Sequence, residues 1–99
     1  MPKYDVFPNP SGDGYLLDIQ SDLLSELNSR LVVPLLPASS APKPARRLNP
    51  VFDFADQQVV MVTQFMGAVP TGILKTQVGR LDEESEKIVS AINMLIQGF

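Results

Sequence analysis

Apolar positions follow two different periods along this chain. Up to Leu81 they come as short runs and alternations, and from Asp82 onward they recur at helical spacing. Tyr15, Leu17 and Ile19 alternate with Leu16, Asp18 and Gln20, a period of two that predicts a half-buried strand. Tyr4-Asp5-Val6-Phe7 predicts a shorter strand before it, and Asn9-Pro10-Ser11-Gly12-Asp13-Gly14 supplies the Asn, Pro and Gly that a reversal needs. These two segments read as a hairpin.

Ser21 to Asn28 begins with helix-capping chemistry but is too short for a stable helix, so one helical turn or a wide loop is expected there. Leu31-Val32-Val33-Pro34-Leu35-Leu36 is rich in strand formers, and Pro34 points to an edge strand or a bulge, where a missing N–H does no harm. Pro37 to Ala45 reads as an extended, polyproline-like loop. Leu48 to Phe54 returns to strand, Ala55-Asp56-Gln57 turns, Val59 to Phe65 is apolar on both faces as in a central strand, and Val69 to Leu74 supplies a last strand.

In the final segment Ile88, Ile92, Leu95 and Phe99 stand at i, i+4, i+7 and i+11, with Val89 and Ile96 widening the stripe. Asp82 is the expected N-cap, with Glu83, Glu84 and Glu86 at the positive end of the helix dipole; roughly 15 residues to Gln97 make a rod of ~23 Å. The fold class is therefore mainly β with one C-terminal helix, in a single domain spanning residues 1–99. The helix end has two readings. Gly98 can be a left-handed stop that folds Phe99 back onto Met94, or Ile96, Gln97, Gly98 and Phe99 can form a docking tip.

Composition narrows the chemistry. The chain has no cysteine and no histidine, which removes disulfides, thiol nucleophiles, imidazole bases and the usual zinc ligands. The net charge is −3 and the longest basic run is Arg46-Arg47, so autonomous nucleic-acid binding is disfavoured. No signal-like or membrane-spanning apolar run is present, and a cytoplasmic protein is expected. With 99 residues and nine prolines the core is thin, which favours help from a second copy. The acidic group Asp82, Glu83, Glu84 and Glu86 is explained by a helix start, and Asp53 and Asp56 by turn chemistry. Arg30, Arg46 and Thr63 are the remaining candidates for a metal-independent ribonuclease site, but no carboxylate partner stands at a distinctive spacing.

Several phrases together resemble the CcdB toxins of toxin–antitoxin modules. They are Asp18-x-Gln20-Ser21-Asp22-Leu23-Leu24, Arg30-Leu31-Val32-Val33-Pro34-Leu35, Arg46-x-Leu48-x-Pro50-Val51, Met61-x-Thr63-x-x-Met66-x-x-Val69-Pro70, and Ala91-Ile92-Asn93 with Gly98 and an apolar last residue. The resemblance implies a small twisted, barrel-like sheet with a short accessory sheet, and a two-fold homodimer that brings the C-terminal helices together. It also implies binding to the DNA gyrase A subunit through Leu23, Leu24, Asn93, Ile96, Gln97, Gly98 and Phe99. The cleaved-DNA complex is thereby trapped, without catalytic residues, cofactor or metal.

Neutralisation would come from a CcdA-like antitoxin whose disordered segment folds on binding, and DNA would be met only through gyrase or the antitoxin complex. The family's best-known members carry tryptophan where this chain has Gln97, which offers no π face. Phe99, next to Gly98, is the candidate replacement. The alternatives are an endoribonuclease of the MazF type, which shares the fold, and a non-toxic homologue that only binds antitoxin.

Overall fold

The computed structural model describes residues 2–98. Seven antiparallel strands, β1 (Asp5–Pro8), β2 (Tyr15–Asp18), β3 (Ser29–Pro37), β4 (Val51–Phe54), β5 (Gln57–Met61), β6 (Gly67–Pro70) and β7 (Gly79–Arg80), precede one helix, α1 (Ser85–Gln97). The sheet runs β4-β5-β3-β2-β1-β7, and β6 pairs with β3 off this path.

The expected hairpin is present, with Val6 opposite Leu17 and Pro8 opposite Tyr15. Its loop is closed by the Asn9 amide donating to the Gly14 carbonyl at 3.1 Å and the Ser11 amide donating to Asn9 Oδ1 at 2.9 Å. Gly14 sits at φ 88°, and a Cβ there would run into the Leu35 carbonyl, so both backbone freedom and the absence of a side chain are required. The second reversal is tighter than Ala55-Asp56-Gln57. Ala55 and Asp56 alone turn, at φ 53° and 63°, and Phe54 already pairs with Gln57, as in a two-residue hairpin with both central residues left-handed.

β3 corrects the expectation of an edge strand. One of its sides carries β2 along Val32–Leu35, while the other carries β6 along Ser29–Val32 and then β5 along Leu35–Pro37. Pro34 stands at the handover between these two partners. Its carbonyl accepts from Val62 N–H at 3.0 Å, and its own nitrogen faces the same neighbour, where the chain has just left β5 for a 3-10 turn (Thr63–Phe65). A central strand tolerates proline here because no ladder donor is needed at that point. For the same reason the strand expected over Val59 to Phe65 stops at Met61.

Three other boundaries move. The segment after β6 forms a 3-10 turn (Thr71–Ile73), and the last strand is the two-residue β7, too short to show a period in sequence. The Pro37–Ala45 loop is not extended throughout, since the Ser40 and Ala41 amides both close onto the Pro37 carbonyl, at 2.9 and 3.0 Å. Asp82 is not the helix N-cap. It lies in a 3-10 turn (Asp82–Glu84), α1 starts at Ser85, and no side chain caps it.

The sheet is covered on both faces, so β2 is not half-buried: Leu16, Leu17 and Asp18 are all buried. Val6, Leu17, Ile19, Val33, Leu35, Phe52, Val59 and Met61 join Leu81, Ile88 and Ala91 in the main core. The opposite face holds a smaller cluster of Phe7, Leu16, Val32 and Leu74, flanked by Val69 and Ile73. The helix thus buries only Ile88 and Ala91, while Val89, Leu95 and Ile96 of the predicted stripe stay exposed. The two ends of the sheet approach through a side chain, since a Cβ on Gly79 would come within 2.5 Å of the Phe54 ring. That ring also meets Tyr15 edge-on at 4.9 Å. The half-barrel is therefore drawn together by packing between β4 and β7.

Candidate functional site

The Asp22–Leu24 3-10 turn follows β2 and buries none of its residues. Leu23 is 95% exposed, and Leu24 and Leu27 are exposed beside it. Such a turn needs external ties to hold one shape, and four hydrogen bonds supply them. Ser21 Oγ accepts from Leu23 N–H at 3.2 Å, Gln20 Nε2 donates to the Leu24 carbonyl at 3.1 Å, the Lys3 amide donates to Asp22 Oδ1 at 2.6 Å, and Gln20 Oε1 accepts from Leu31 N–H at 3.0 Å.

Gln20 in turn rests on a buried ion pair. Asp18 and Arg30, 0% and 1% exposed, meet at 2.7 Å through Nη2 and 2.8 Å through Nε. The Gln20 amide donates to Asp18 Oδ1 at 3.0 Å. Burial pushes the Asp18 carboxyl above its usual range, while hydrogen bonds from Arg30 and the Gln20 amide, with the charge of Arg30, pull it back. A charge pair inside the fold thus sets the frame from which the two leucines project. Arg30 finds its carboxylate partner 12 residues away on the neighbouring strand, a spacing with no signature in sequence, and the pair is sealed from solvent. Thr63 is also buried, its hydroxyl donating to the Leu48 carbonyl, whereas Arg46 is exposed. The candidate ribonuclease trio is therefore not assembled as a solvent-facing site.

The second prominence is the end of α1. Gly98 takes φ 84° and its amide donates to the Met94 carbonyl at 3.0 Å, the single-bond left-handed helix stop. Ile96 remains 69% exposed, and Gln97 and Gly98 are exposed with it. The helix stop and the presented tip thus coexist. Phe99, with its expected contact to Met94, lies outside the described residues.

Asn93 stands one turn before this end, in an open cleft with Tyr4, Arg47, Ser85, Glu86, Val89 and Ser90. Tyr4 is held at φ 73°, its amide donating to the Asp18 carbonyl at 2.6 Å and its carbonyl accepting from Leu81 N–H at 3.0 Å. Because Lys3 bonds Asp22 and Tyr4 lines the Asn93 cleft, the start of the chain links the leucine turn to the helix face. No hydrogen bond joins the Leu23–Leu24 turn directly to Ile96, Gln97 or Gly98 among the described residues. Sequence reasoning missed Tyr4 and Arg47. A lone aromatic near a terminus and a short basic pair carry little signal until the fold puts them opposite α1.

Two of the four acidic residues near the helix start form surface pairs, Asp82 with Arg80 at 3.4 Å and Glu84 with Lys87 at 4.0 Å. No cluster of three or more carboxylates able to hold a metal occurs among the described residues, and no helix there is long and apolar enough to cross a membrane.

A comparison with protein-family models matches residues 3–98 to the family described as CcdB protein. The chain belongs to the CcdB family. The match takes in all seven strands and the helix, and the half-barrel with one terminal helix is consistent with the CcdB fold. Membership makes this a toxin of a toxin–antitoxin system, from a family that is not one of catalytic enzymes. Two exposed apolar prominences stand out on this fold, the Asp22–Leu24 turn and the end of α1.

Proposed function

We propose that this CcdB-family chain acts as a homodimer that docks on the DNA gyrase A subunit in the cytoplasm and traps gyrase in its cleaved-DNA complex. Leu23, Leu24, Asn93, Ile96, Gln97, Gly98 and Phe99 make the contact. The carrying observation is the near-complete exposure of Leu23 on a turn that buries nothing yet is tied down by Ser21, Gln20 and Lys3. A backbone already fixed in place loses little further freedom on binding, which is how a small contact gains affinity.

The dimer reading draws on the same economy. Phe65 and Leu95 are exposed beside and on the terminal helix, and a two-fold axis would cover such a patch twice while setting two tips side by side. A CcdA-like antitoxin with a disordered segment is the neutralising partner in this reading. No bond is made or broken by the toxin itself, and no cofactor is required.

Incubation of the purified protein with gyrase, ATP and supercoiled DNA tests the proposal. Linear, protein-linked DNA is the expected product. Fragmented RNA in a parallel incubation would replace gyrase poisoning with ribonuclease activity, and inertness in both would leave a homologue that only sequesters antitoxin.

A further inference from the structure

The cleft beside Asn93 contains a cation that the fold has taken trouble to place. Arg47 lies within a closed turn in which the Asn49 amide donates to the Ala45 carbonyl at 2.9 Å and Asn49 Oδ1 accepts from Ala45 N–H at 2.9 Å. Asn49 is buried and its Nδ2 donates to the Met61 carbonyl at 3.1 Å and to Gln64 Oε1 at 2.8 Å. The buried Thr63 hydroxyl ties down Leu48 from the same side. At the crest of this anchored turn Arg47 adopts φ 66°, a left-handed backbone that side-chain-bearing residues avoid unless their surroundings enforce it.

The turn aims the guanidinium across the cleft at α1. Nε and Nη2 donate to Ser90 Oγ at 3.3 and 3.1 Å. A hydroxyl orients the group but does not neutralise it, and Arg47 forms no ion pair among the described residues although Glu86 lines the same cleft. The Asn93 amide also makes no side-chain hydrogen bond among the described residues, and the partly buried Tyr4 forms part of the wall. The guanidinium keeps donors of its five-donor planar fork for a second partner.

We infer that Arg47, oriented by Ser90 and flanked by Tyr4 and Asn93, is a carboxylate-binding subsite that takes an acidic side chain of the gyrase A subunit. This rests on the gyrase reading above and adds to it a charged contact beside the apolar tips. Two features favour an acidic group of the same protein that the tips engage. Asn93 belongs both to the cleft and to the docking set, and Arg46-Arg47 is the one adjacent basic pair on a chain of net charge −3. Ser90 is a positioning residue in this arrangement, since it acts through Arg47.

Binding of the purified toxin to the gyrase A subunit, measured by interferometry over a series of salt concentrations, tests the inference with Arg47→Gln and Arg47→Lys. The expected result is about 10-fold weaker binding for Arg47→Gln with a shallower salt dependence, and an intermediate affinity for Arg47→Lys, which keeps the charge but not the fork. Thermal unfolding is run alongside. If Arg47→Gln melts early, the comparison moves to Arg47→Lys, and wild-type affinity in that variant overturns the forked contact.

Wild-type affinity and salt slope in a well-folded Arg47→Gln overturn the subsite while leaving the gyrase reading in place. Absence of gyrase binding by the wild type overturns both. An effect confined to the antitoxin complex assigns the cleft to another partner and overturns the inference.

Discussion

Replacing Arg30 by Met isolates the buried charge that supports the leucine turn. The guanidinium is 1% exposed and touches a carboxylate that is fully buried, so its removal strands Asp18 without its cation in an interior that excludes water. Removing one member of such a pair costs about 3–5 kcal/mol, a large part of the total stability of a small domain. Urea unfolding at pH 7 and fixed protein concentration should show this as a midpoint lowered by about 2 M for a slope near 2 kcal/mol per M.

The pH dependence gives a sharper signature. Desolvation already raises the folded-state carboxyl of Asp18, and Arg30→Met deletes the chief influences that lower it, so the pKa moves further up. A folded pKa above the unfolded one means the native state holds the proton more tightly. The associated stability is fully present below the unfolded value and is lost as pH rises through the folded value. The deficit of Arg30→Met relative to wild type should therefore shrink as pH falls from 7 toward the ordinary Asp range. Pairing it with Asp18→Leu should recover most of the pH 7 loss, because apolar replacement of both partners removes the stranded charge. A loss under about 1 kcal/mol at pH 7, or a deficit that stays constant on acidification, would refute the reasoning.

Phe99→Ala should relieve growth inhibition in a folded variant if that ring replaces the family tryptophan, and undiminished toxicity would count against it. Leu23→Asp should abolish gyrase poisoning while lowering stability by no more than about 0.5 kcal/mol, because the side chain contacts little in the folded chain; thermal melts and the cleavage assay read the two effects separately. Gly79→Ala should cost about 1–3 kcal/mol by pushing into the Phe54 ring, itself packed on Tyr15, and a neutral result would show that the β4–β7 contact is loose. The melting temperature should rise with protein concentration if the chain is a dimer, and a flat response across a range spanning dissociation would contradict it.

Period and turn chemistry made much of this architecture legible. The β1–β2 hairpin, the β4–β5 reversal and the terminal helix follow from alternation, Gly and Asn placement, and helical spacing. Pro34 misled because a missing donor reveals only that one bond is absent. It does not reveal that β3 changes partners at that point. Asp82 misled because a 3-10 turn consumed the residues that would have capped the helix. Of the docking set, Leu23 and Leu24 came only from the family resemblance and Ile96 also from the docking-tip reading of the helix end, and the structure leaves all three exposed. The Asp18–Arg30 support was not visible, since its members lie 12 residues apart on neighbouring strands and nothing local links them. Tyr4 and Arg47 were hidden for a similar reason, as their meeting with α1 depends on long-range packing.

The Asp22–Leu24 turn buries none of its own side chains, and Ile96, Gln97 and Gly98 stay outside the core as well. In the proposed docking role, the exposed side chains of Leu23 and Ile96 answer to recognition, while Asp18, Arg30 and the sheet answer to folding. A toxin built this way can change the side chains at those proposed contact points with little folding penalty, while the buried pair and the sheet preserve the shape. Under that proposal, the choice of target can drift faster than the architecture.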